Sequence, residues 1–224
     1  REHLSLSGVE TMPYTAVADA VKNLHACRTM ISNKSNCAIK SLFNDGECVI
    51  MPSIAEEMKA VKNSAEIAGF HSAMLRDGVA MVRFLKWLEQ AVPQGNETEL
   101  SVSEKLRQLR AEQPLYRDNS FDTIAGYEKH GAIVHYEPTP ESDIPLKPEG
   151  FLLLDSGAQY TDGTTDITRT IQLGPVSDLH RRVYTLVLKG HLSLQNLCFP
   201  RGAAGTQLDA IARSAMWREG MNYM

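Results

Sequence analysis

The stretch DSGAQYTDGTTDITRT, residues 155–170, decides the fold of this chain. It follows the apolar run GFLLL (150–154) and leads into ITRTIQLG (167–174). Two short β-prone runs that are joined by Gly, Asp and Thr predict an antiparallel hairpin. The dipeptide Asp162-Gly163 is a common hairpin-turn signal, so Asp162 is interpreted as a turn residue.

Asp155 and Asp166 are the unusual residues of this hairpin. Asp155 ends a strand that should be buried, and Asp166 leads into the partner strand. If the turn is centred on residues 160–161, the two acids are directly opposed and about 5 Å apart. If it is centred on residues 162–163, they share a face but lie about 13 Å apart along the strand. The alternation of side chains therefore predicts a shared face and leaves the separation open.

Two close carboxylates repel each other and need a shared proton, a cation or a metal ion. Arg169 is the nearest cation, but its odd offset from Asp166 sends it to the opposite face of an ideal strand. A divalent ion with oxygen ligands is the alternative. His135 lies in GAIVHYEP (131–138), a predicted strand beside the hairpin. A lone histidine on an apolar strand is more often a core residue than a functional one, and both interpretations stay open.

The composition excludes several classes of function. The chain has 224 residues, of which 43% are hydrophobic and 22% charged, as in globular proteins. The net charge of -4 makes a nucleic-acid partner unexpected, because phosphate binding calls for a basic surface. The apolar runs are shorter than the roughly 20 residues of a membrane span, so we expect no membrane partner. The 4 cysteines show no CxxC spacing, which is typical of reduced thiols in a cytoplasmic protein.

The order of elements predicts an α+β fold. Helical periodicity covers residues 54–92, four β-rich runs follow between residues 120 and 174, and helical patterns return after residue 177. This order favours an antiparallel sheet that is covered by helices. Residues 1–50 contain a helix and a strand or two, with too little apolar surface to fold alone. We therefore predict two parts, 1–50 and 51–224.

The hairpin resembles a known signature. LLLDSGAQYTDGTTDITRT (152–170) is similar to the signature of aminopeptidase P, the Xaa-Pro aminopeptidase family of the pita-bread metallopeptidases. Three flanking segments also resemble this family: AVKNSAEIAGFHSAMLRDGVAMVRFLKWLE (60–89), GAIVHYEP and VLKGHLSLQNLCFPRGAAGTQLDAIARSAMW (187–217). The resemblance covers residues 52–224. It implies the first half of a pita-bread fold (creatinase/methionine aminopeptidase-like), which follows the end of another, non-catalytic α/β domain.

The resemblance also implies a site and a reaction. Asp155 and Asp166 would be ligands of a dinuclear metal centre, usually Mn²⁺, with Asp166 bridging both ions. His135 would be the catalytic histidine that donates a hydrogen bond to the substrate. The enzyme would remove the N-terminal residue from a peptide whose second residue is proline. Two alternatives stay open: prolidase, which cleaves only dipeptides, and a metal-free pita-bread relative that serves as a binding module.

The resemblance places further ligands beyond residue 224. Members of the family carry an HGTGHG-like stretch with a histidine ligand, followed by two glutamates. We therefore expect this chain to hold half of the site, to be inactive by itself and to bind metal weakly. We also expect a homodimer, because apolar surface that the other half would cover promotes self-association.

Overall fold

The computed structural model describes residues 2–24, 28–44 and 46–223. The chain forms two compact units, Arg1–Ser64 and Ala65–Met224. The predicted boundary after residue 50 separates two domains of the whole protein, whereas these units reflect contacts within the chain. The predicted boundary therefore stays a prediction. The described cysteines, Cys37, Cys48 and Cys198, are free thiols, and Cys27 lies outside the described residues.

The first unit combines short helices with one pair of strands. Its strands β1 and β2 are parallel, with Thr29 opposite Cys48. Side chains cap two of its helices: Asn36 accepts a hydrogen bond from the Ile39 amide, and Ser53 accepts one from the Glu56 amide. The elements are α1 (Glu2–Leu6), a 3-10 helix (Tyr14–Ala16), α2 (Val17–Lys22), β1 (Thr29–Ser32), α3 (Cys37–Lys40), β2 (Cys48–Met51) and α4 (Ile54–Ala60).

The second unit has four long helices. The helix predicted over residues 54–92 is interrupted at residues 61–63, so that α4 and α5 are separate helices. Helix α6 begins at a capping box that Thr98 and Ser101 form. The helices are α5 (Ser64–Ala91), α6 (Glu99–Ala111), α7 (Asp178–Gln195) and α8 (Gly205–Trp217), with a 3-10 turn at Val92–Gln94. In the described part of the chain, no helix combines the length and hydropathy that a bilayer span requires.

Six strands form two antiparallel sheets of three strands each, in the orders β3-β6-β7 and β4-β5-β8. The strands are β3 (Tyr116–Asn119), β4 (Ile124–Tyr127), β5 (Phe151–Ser156), β6 (Ala158–Tyr160), β7 (Gly163–Thr164) and β8 (Ile167–Gln172). The core lies between these strands and helices α5 and α6. Its fully buried members include Phe84, Leu88, Leu106, Leu152 and Leu154.

One predicted strand is wrong. GAIVHYEP does not form a strand: a 3-10 helix spans Glu128–Ala132, and the chain then turns through His135. Glu128 begins the turn with a φ of 48°, in the left-handed region, and its carboxylate accepts the amide of Phe151 at 2.8 Å. Gly126 in β4 lies against this turn, because a Cβ there would be 2.8 Å from the Gly131 amide nitrogen. The close approach of the two backbones requires glycine at position 126. These contacts stabilise a turn at this position, whereas the apolar alternation predicts an extended strand.

Candidate metal centre

A single register runs through the whole hairpin. Phe151 pairs with Gln172 at one end and Tyr160 with Gly163 at the other, which places the turn at residues 161–162. This register lies between the two that the sequence allows. Asp155 is directly opposite Thr168, and Asp166 lies two residues before that partner. The two acids are therefore diagonal neighbours, a relationship that typically separates residues by about 7–8 Å.

The burial pattern places both acids on one face. In β5, Leu152, Leu154 and Ser156 are buried, whereas Asp155 between them is only half-buried. On the partner strand, Thr165 and Ile167 are buried, and Asp166 and Thr168 are exposed. Because side chains alternate along a strand, Asp155, Asp166 and Thr168 share the solvent-facing side of the hairpin.

No cation of the described residues neutralises these carboxylates. Thr168 Oγ1 donates a hydrogen bond to Asp155 Oδ1 at 2.8 Å. Arg169 turns elsewhere, since its Nη1 donates to the carbonyl oxygen of Thr168 at 2.7 Å. Within the described residues, neither acid forms an ion pair. Two uncompensated carboxylates on one face supply the hard oxygen donors that divalent ions such as Mn²⁺ prefer, so the residues present fit such a group.

These two acids would supply only part of the coordination sphere of a metal ion. Across residues 2–24, 28–44 and 46–223, no three His, Cys, Asp or Glu side chains are grouped so that they could hold a metal ion. A hard divalent ion takes roughly six oxygen or nitrogen ligands. A metal ion bound by Asp155 and Asp166 would therefore need further ligands.

Asp162 lies in the hairpin turn, as expected, and it also contacts helix α5. Its carboxylate forms an ion pair with Arg76, whose guanidinium lies 4.9 Å from the centre of the Tyr160 ring. Gly69 in the same helix faces the turn, because a Cβ there would overlap the carbonyl oxygen of Asp162. Asp162 therefore anchors the hairpin to α5.

The sequence predicts His135 on a strand, and this prediction is wrong. His135 lies in an exposed turn with a φ of 56°. The 3-10 segment that precedes it packs on the acid face of β5, since a Cβ at Gly131 would lie 3.3 Å from the Leu153 Cβ. Leu153 shares that face with Asp155, two residues along the strand. The segment that leads into His135 thus lies on the same side of the sheet as the acids, and the catalytic role of His135 stays a prediction.

Comparisons with known proteins identify the family. The profile of metallopeptidase family M24 matches residues 68–224. The chain belongs to this family. The probable Xaa-Pro aminopeptidase P of Verticillium alfalfae is 39% identical over 233 residues, which cover 99% of this chain and 38% of that protein.

Solved structures of related enzymes share the fold of this M24 chain. The X-prolyl aminopeptidase of Caenorhabditis elegans, described as a cytosolic enzyme with a di-nuclear active site, has a TM-score of 0.92 and 33% identity, covering 100% of this chain and 38% of its own. The Xaa-Pro dipeptidase of Bacillus anthracis has a TM-score of 0.75 and 25% identity, covering 95% of this chain and 59% of its own. The chain thus spans 38% of the length of each of the two aminopeptidases. The predicted α+β, pita-bread fold is confirmed.

The M24 chain also contains a buried cluster at Glu99 that the sequence reasoning missed. Glu99 is fully buried in the first turn of α6, where it accepts hydrogen bonds from the Tyr127 amide at 2.7 Å and the Tyr136 hydroxyl at 2.9 Å. The ring nitrogen Nδ1 of His130 lies 2.9 Å from the same carboxylate. Burial raises the pKa of Tyr136 above its ordinary value. The cluster fixes the residue next to His135, and the only sequence signal for it is an acid at a helix N-terminus.

A second buried network lies beneath the hairpin. Asp77, in the middle of α5, forms a fully buried ion pair with Arg110 near the end of α6. The Tyr160 hydroxyl donates to Asp77 Oδ1 at 3.3 Å, and Thr165 Oγ1 donates to Oδ2 at 3.0 Å. Thr165 is 88 positions from Asp77 in sequence, so no periodicity could have predicted this network.

Proposed function

We propose that the protein to which this M24 chain belongs is a metal-dependent exopeptidase that removes the N-terminal residue from peptides with proline in second position. The observation that carries the proposal is the pair Asp155 and Asp166, two carboxylates on one face of a hairpin without a cationic partner in the described chain. The names of the aminopeptidase relatives from Verticillium alfalfae and Caenorhabditis elegans support the substrate class.

Asp155 and Asp166 would hold two divalent ions, for which we propose Mn²⁺, and Asp166 would bridge them. Oxygen ligands suit this ion, and a bridging carboxylate places negative charge next to both cations. When bound, such ions activate water at neutral pH and polarise a carbonyl group. The hydrogen bond from Thr168 restrains one oxygen of Asp155 and leaves the other oxygen free to bind.

His135 would donate a hydrogen bond to the substrate peptide. A neutral imidazole has one N–H donor, and the side chain is exposed in its turn. The neighbouring residue, Tyr136, is anchored on the buried Glu99, which gives the exposed histidine a rigid base. Because an Xaa-Pro bond offers no N–H and proline fixes φ, recognition of the substrate depends on its carbonyl groups and on the shape of the ring.

Several properties of the whole protein belong to the same proposal. Residues 1–50 would be the end of a preceding non-catalytic domain, and residues 51–224 the first half of the catalytic domain. A cytoplasmic location is supported by the cytosolic relative. A homodimer is supported by apolar side chains on the surface of α5, among them Leu75 and Val82 with 73% and 67% of their surface exposed. The isolated 224-residue chain would be inactive.

Hydrolysis of matched tripeptides tests the activity. The protein in its natural length, supplied with Mn²⁺, should release arginine from Arg-Pro-Pro and leave Arg-Ala-Ala nearly uncleaved. Equal rates on the two peptides would rule out the Xaa-Pro assignment. Asp166→Asn should reduce kcat more than about 100-fold, beyond the losses typical of outer-shell residues, because an amide cannot replace the bridging charge. Asp178→Asn, which alters an exposed carboxylate in the first turn of α7, is the matched control.

The two alternatives give different results in the same assay. A prolidase would cleave the dipeptide Arg-Pro and not Arg-Pro-Pro. A metal-free binding module would cleave none of these peptides and would show no Mn²⁺ binding in a calorimetric titration. The separate 224-residue chain should bind Mn²⁺ weakly, since two carboxylates cannot complete the coordination of one ion, and two tight sites on it would contradict this expectation.

A further inference from the structure

Asp166 does not lie in a regular strand. Strand β7 ends at Thr164 and β8 begins at Ile167, so Thr165 and Asp166 belong to neither ladder. The position of a carboxylate on such a segment is not set by paired backbone hydrogen bonds on both sides. Something else must hold it, because a metal ligand has to be placed within a fraction of an ångström.

The polar groups of Thr165 hold this segment. Its amide donates to the Ala158 carbonyl at 2.9 Å, and its hydroxyl oxygen accepts the Ala158 amide at 2.9 Å. Its carbonyl oxygen accepts a hydrogen bond from Ser120 Oγ at 2.9 Å. The hydroxyl proton goes to Asp77 Oδ2 at 3.0 Å. Each polar atom of the residue before Asp166 therefore has a partner.

Asp77 is itself held on several sides. Arg110 Nε donates to Oδ1 at 2.7 Å and Nη2 to Oδ2 at 3.0 Å, a bidentate arrangement that fixes the plane of the carboxylate. Both side chains are buried, with 0% of Asp77 and 1% of Arg110 exposed. A buried ion pair is commonly no more stable than a well-packed apolar pair, so stability alone does not account for its presence.

We infer that Asp77, held by Arg110, is a positioning residue that fixes Asp166 through the hydroxyl of Thr165. The inference rests on the proposed role of Asp166 as a metal ligand. The chain of contacts begins on α5 and α6, crosses the core at Thr165 and ends at the next residue on the exposed face. Helices on one side of the sheet thus determine the geometry of a ligand on the other.

Substitution of Thr165 tests the inference, with Mn²⁺ affinity as the main measurement. Thr165→Val keeps the shape of the side chain and removes the hydroxyl, and we expect it to weaken Mn²⁺ binding by about 10–100-fold, as for other outer-shell losses. Thr165→Ser restores the hydroxyl and should restore the affinity. Thr164→Val is the control, since the neighbouring Thr164 hydroxyl donates to Gln159 Oε1 on the exposed side. Calorimetry on the metal-free protein of natural length gives the Kd, and thermal unfolding gives the stability.

A merely structural role would lower the unfolding temperature of Thr165→Val and leave its Mn²⁺ affinity at the wild-type value, and this result would overturn the inference. If Thr165→Val does not fold, Arg110→Lys replaces it. Lysine keeps the charge but cannot hold a carboxylate in a bidentate manner. We expect Arg110→Lys to weaken Mn²⁺ binding, and an unchanged Kd in a folded Arg110→Lys protein would equally refute the inference.

Failure of the proposed function has a different signature. If the wild-type protein shows no tight Mn²⁺ site, or if Asp166→Asn binds Mn²⁺ as well as the wild type, both the metal centre and the inference are wrong. If Asp166→Asn loses the metal while Thr165→Val and Arg110→Lys keep it, the metal centre stands and the inference alone is wrong.

Discussion

Thr168 faces Asp155 directly across the hairpin and donates a hydrogen bond to its carboxylate at 2.8 Å. The hydroxyl occupies one oxygen and limits rotation about the side-chain torsion, so the carboxylate is oriented before any ligand arrives. A hydrogen-bond partner of this kind raises metal affinity, because the carboxylate side chain loses less conformational entropy when it binds an ion.

If Asp155 is a metal ligand, as we propose, removal of this hydroxyl should weaken metal binding. Thr168→Val keeps a β-branched side chain on the strand, and we expect the Kd for Mn²⁺ to rise by about tenfold or more. Thr170→Val changes the next threonine on the same face, which is opposite Leu153 instead of an acid, and should leave the Kd unchanged. Calorimetric titration of the two variants compares them directly, and equal affinities would show that Thr168 does not orient the ligand.

Replacement of Glu99 by glutamine should destabilise the second unit. One carboxylate oxygen accepts a hydrogen bond from the Tyr127 amide, and the other accepts one from the Tyr136 hydroxyl. The NH₂ group of a glutamine would face one of these two groups and could not accept its hydrogen bond. A buried polar group that loses its partner costs about 1–3 kcal/mol of unfolding free energy. Urea denaturation measures the loss. Glu112→Gln at the exposed end of α6 breaks only a surface ion pair with Arg83 and should cost less than about 1 kcal/mol. Similar losses in both variants would contradict the buried role of Glu99.

Two glycines of helix α5 should respond to alanine in opposite directions. A Cβ at Gly69 would overlap the Asp162 carbonyl oxygen, so Gly69→Ala must displace the hairpin turn and should cost about 1–3 kcal/mol. A Cβ at Gly78 meets no atom within 4 Å, so Gly78→Ala should stabilise the helix by up to about 1 kcal/mol. Thermal unfolding of both variants checks the prediction. A stabilised Gly69→Ala protein would mean that the hairpin does not approach α5 closely.

The stability of the protein should fall at alkaline pH through Tyr160. Burial raises the pKa of this phenol above its ordinary value of about 10, and the nearby Asp77 carboxylate raises it further. The group therefore contributes its full stability below pH 10. That stability is lost as the pH rises above 10, because the unfolded chain ionises the phenol and the folded protein does not.

The corresponding variant is Tyr160→Phe. At pH 8 it should be less stable than the wild type by about 1 kcal/mol, the value of one hydrogen bond. Between pH 10 and pH 11 the difference should shrink by up to about 1.4 kcal/mol, since phenylalanine has no proton to lose. Urea denaturation over pH 8–11 measures it, and Tyr184→Phe on the surface of α7 controls for the loss of one tyrosine. A constant difference across this range would show that Tyr160 does not titrate as described.

The sequence predicts the hairpin well because its information is local. Alternation of side chains on both sides of a turn places Asp155 and Asp166 on one face for each of the two-residue turns that the sequence offers. The sequence leaves the register open, since residues 160–163 contain overlapping turn signals, and the structure adopts the intermediate register with the turn at residues 161–162. One residue of uncertainty in the turn centre is enough to change which residue faces Asp155.

The segment at His135 could not be predicted from apolar alternation alone. Its apolar residues, Ile133 and Val134, are exposed, and the chain is held by side-chain contacts to distant elements, at Glu128 and Tyr136. A tight turn at Gly131 was the available signal against a strand. The buried networks at Asp77 and Glu99 could not be predicted from the sequence either, because their hydrogen-bond partners are far apart in the chain.

The left-handed backbone of His135 affects how its role can be measured. Histidine and asparagine tolerate a φ near 56° better than most residues, and glycine adopts it freely, whereas alanine is disfavoured there by about 1–2 kcal/mol. Alanine scanning at this position would remove the imidazole and relax the backbone at once, and the loss of activity would combine both effects. His135→Asn and His135→Gly bracket the change instead: a loss common to both measures the imidazole, and a loss confined to one measures the shape of the turn.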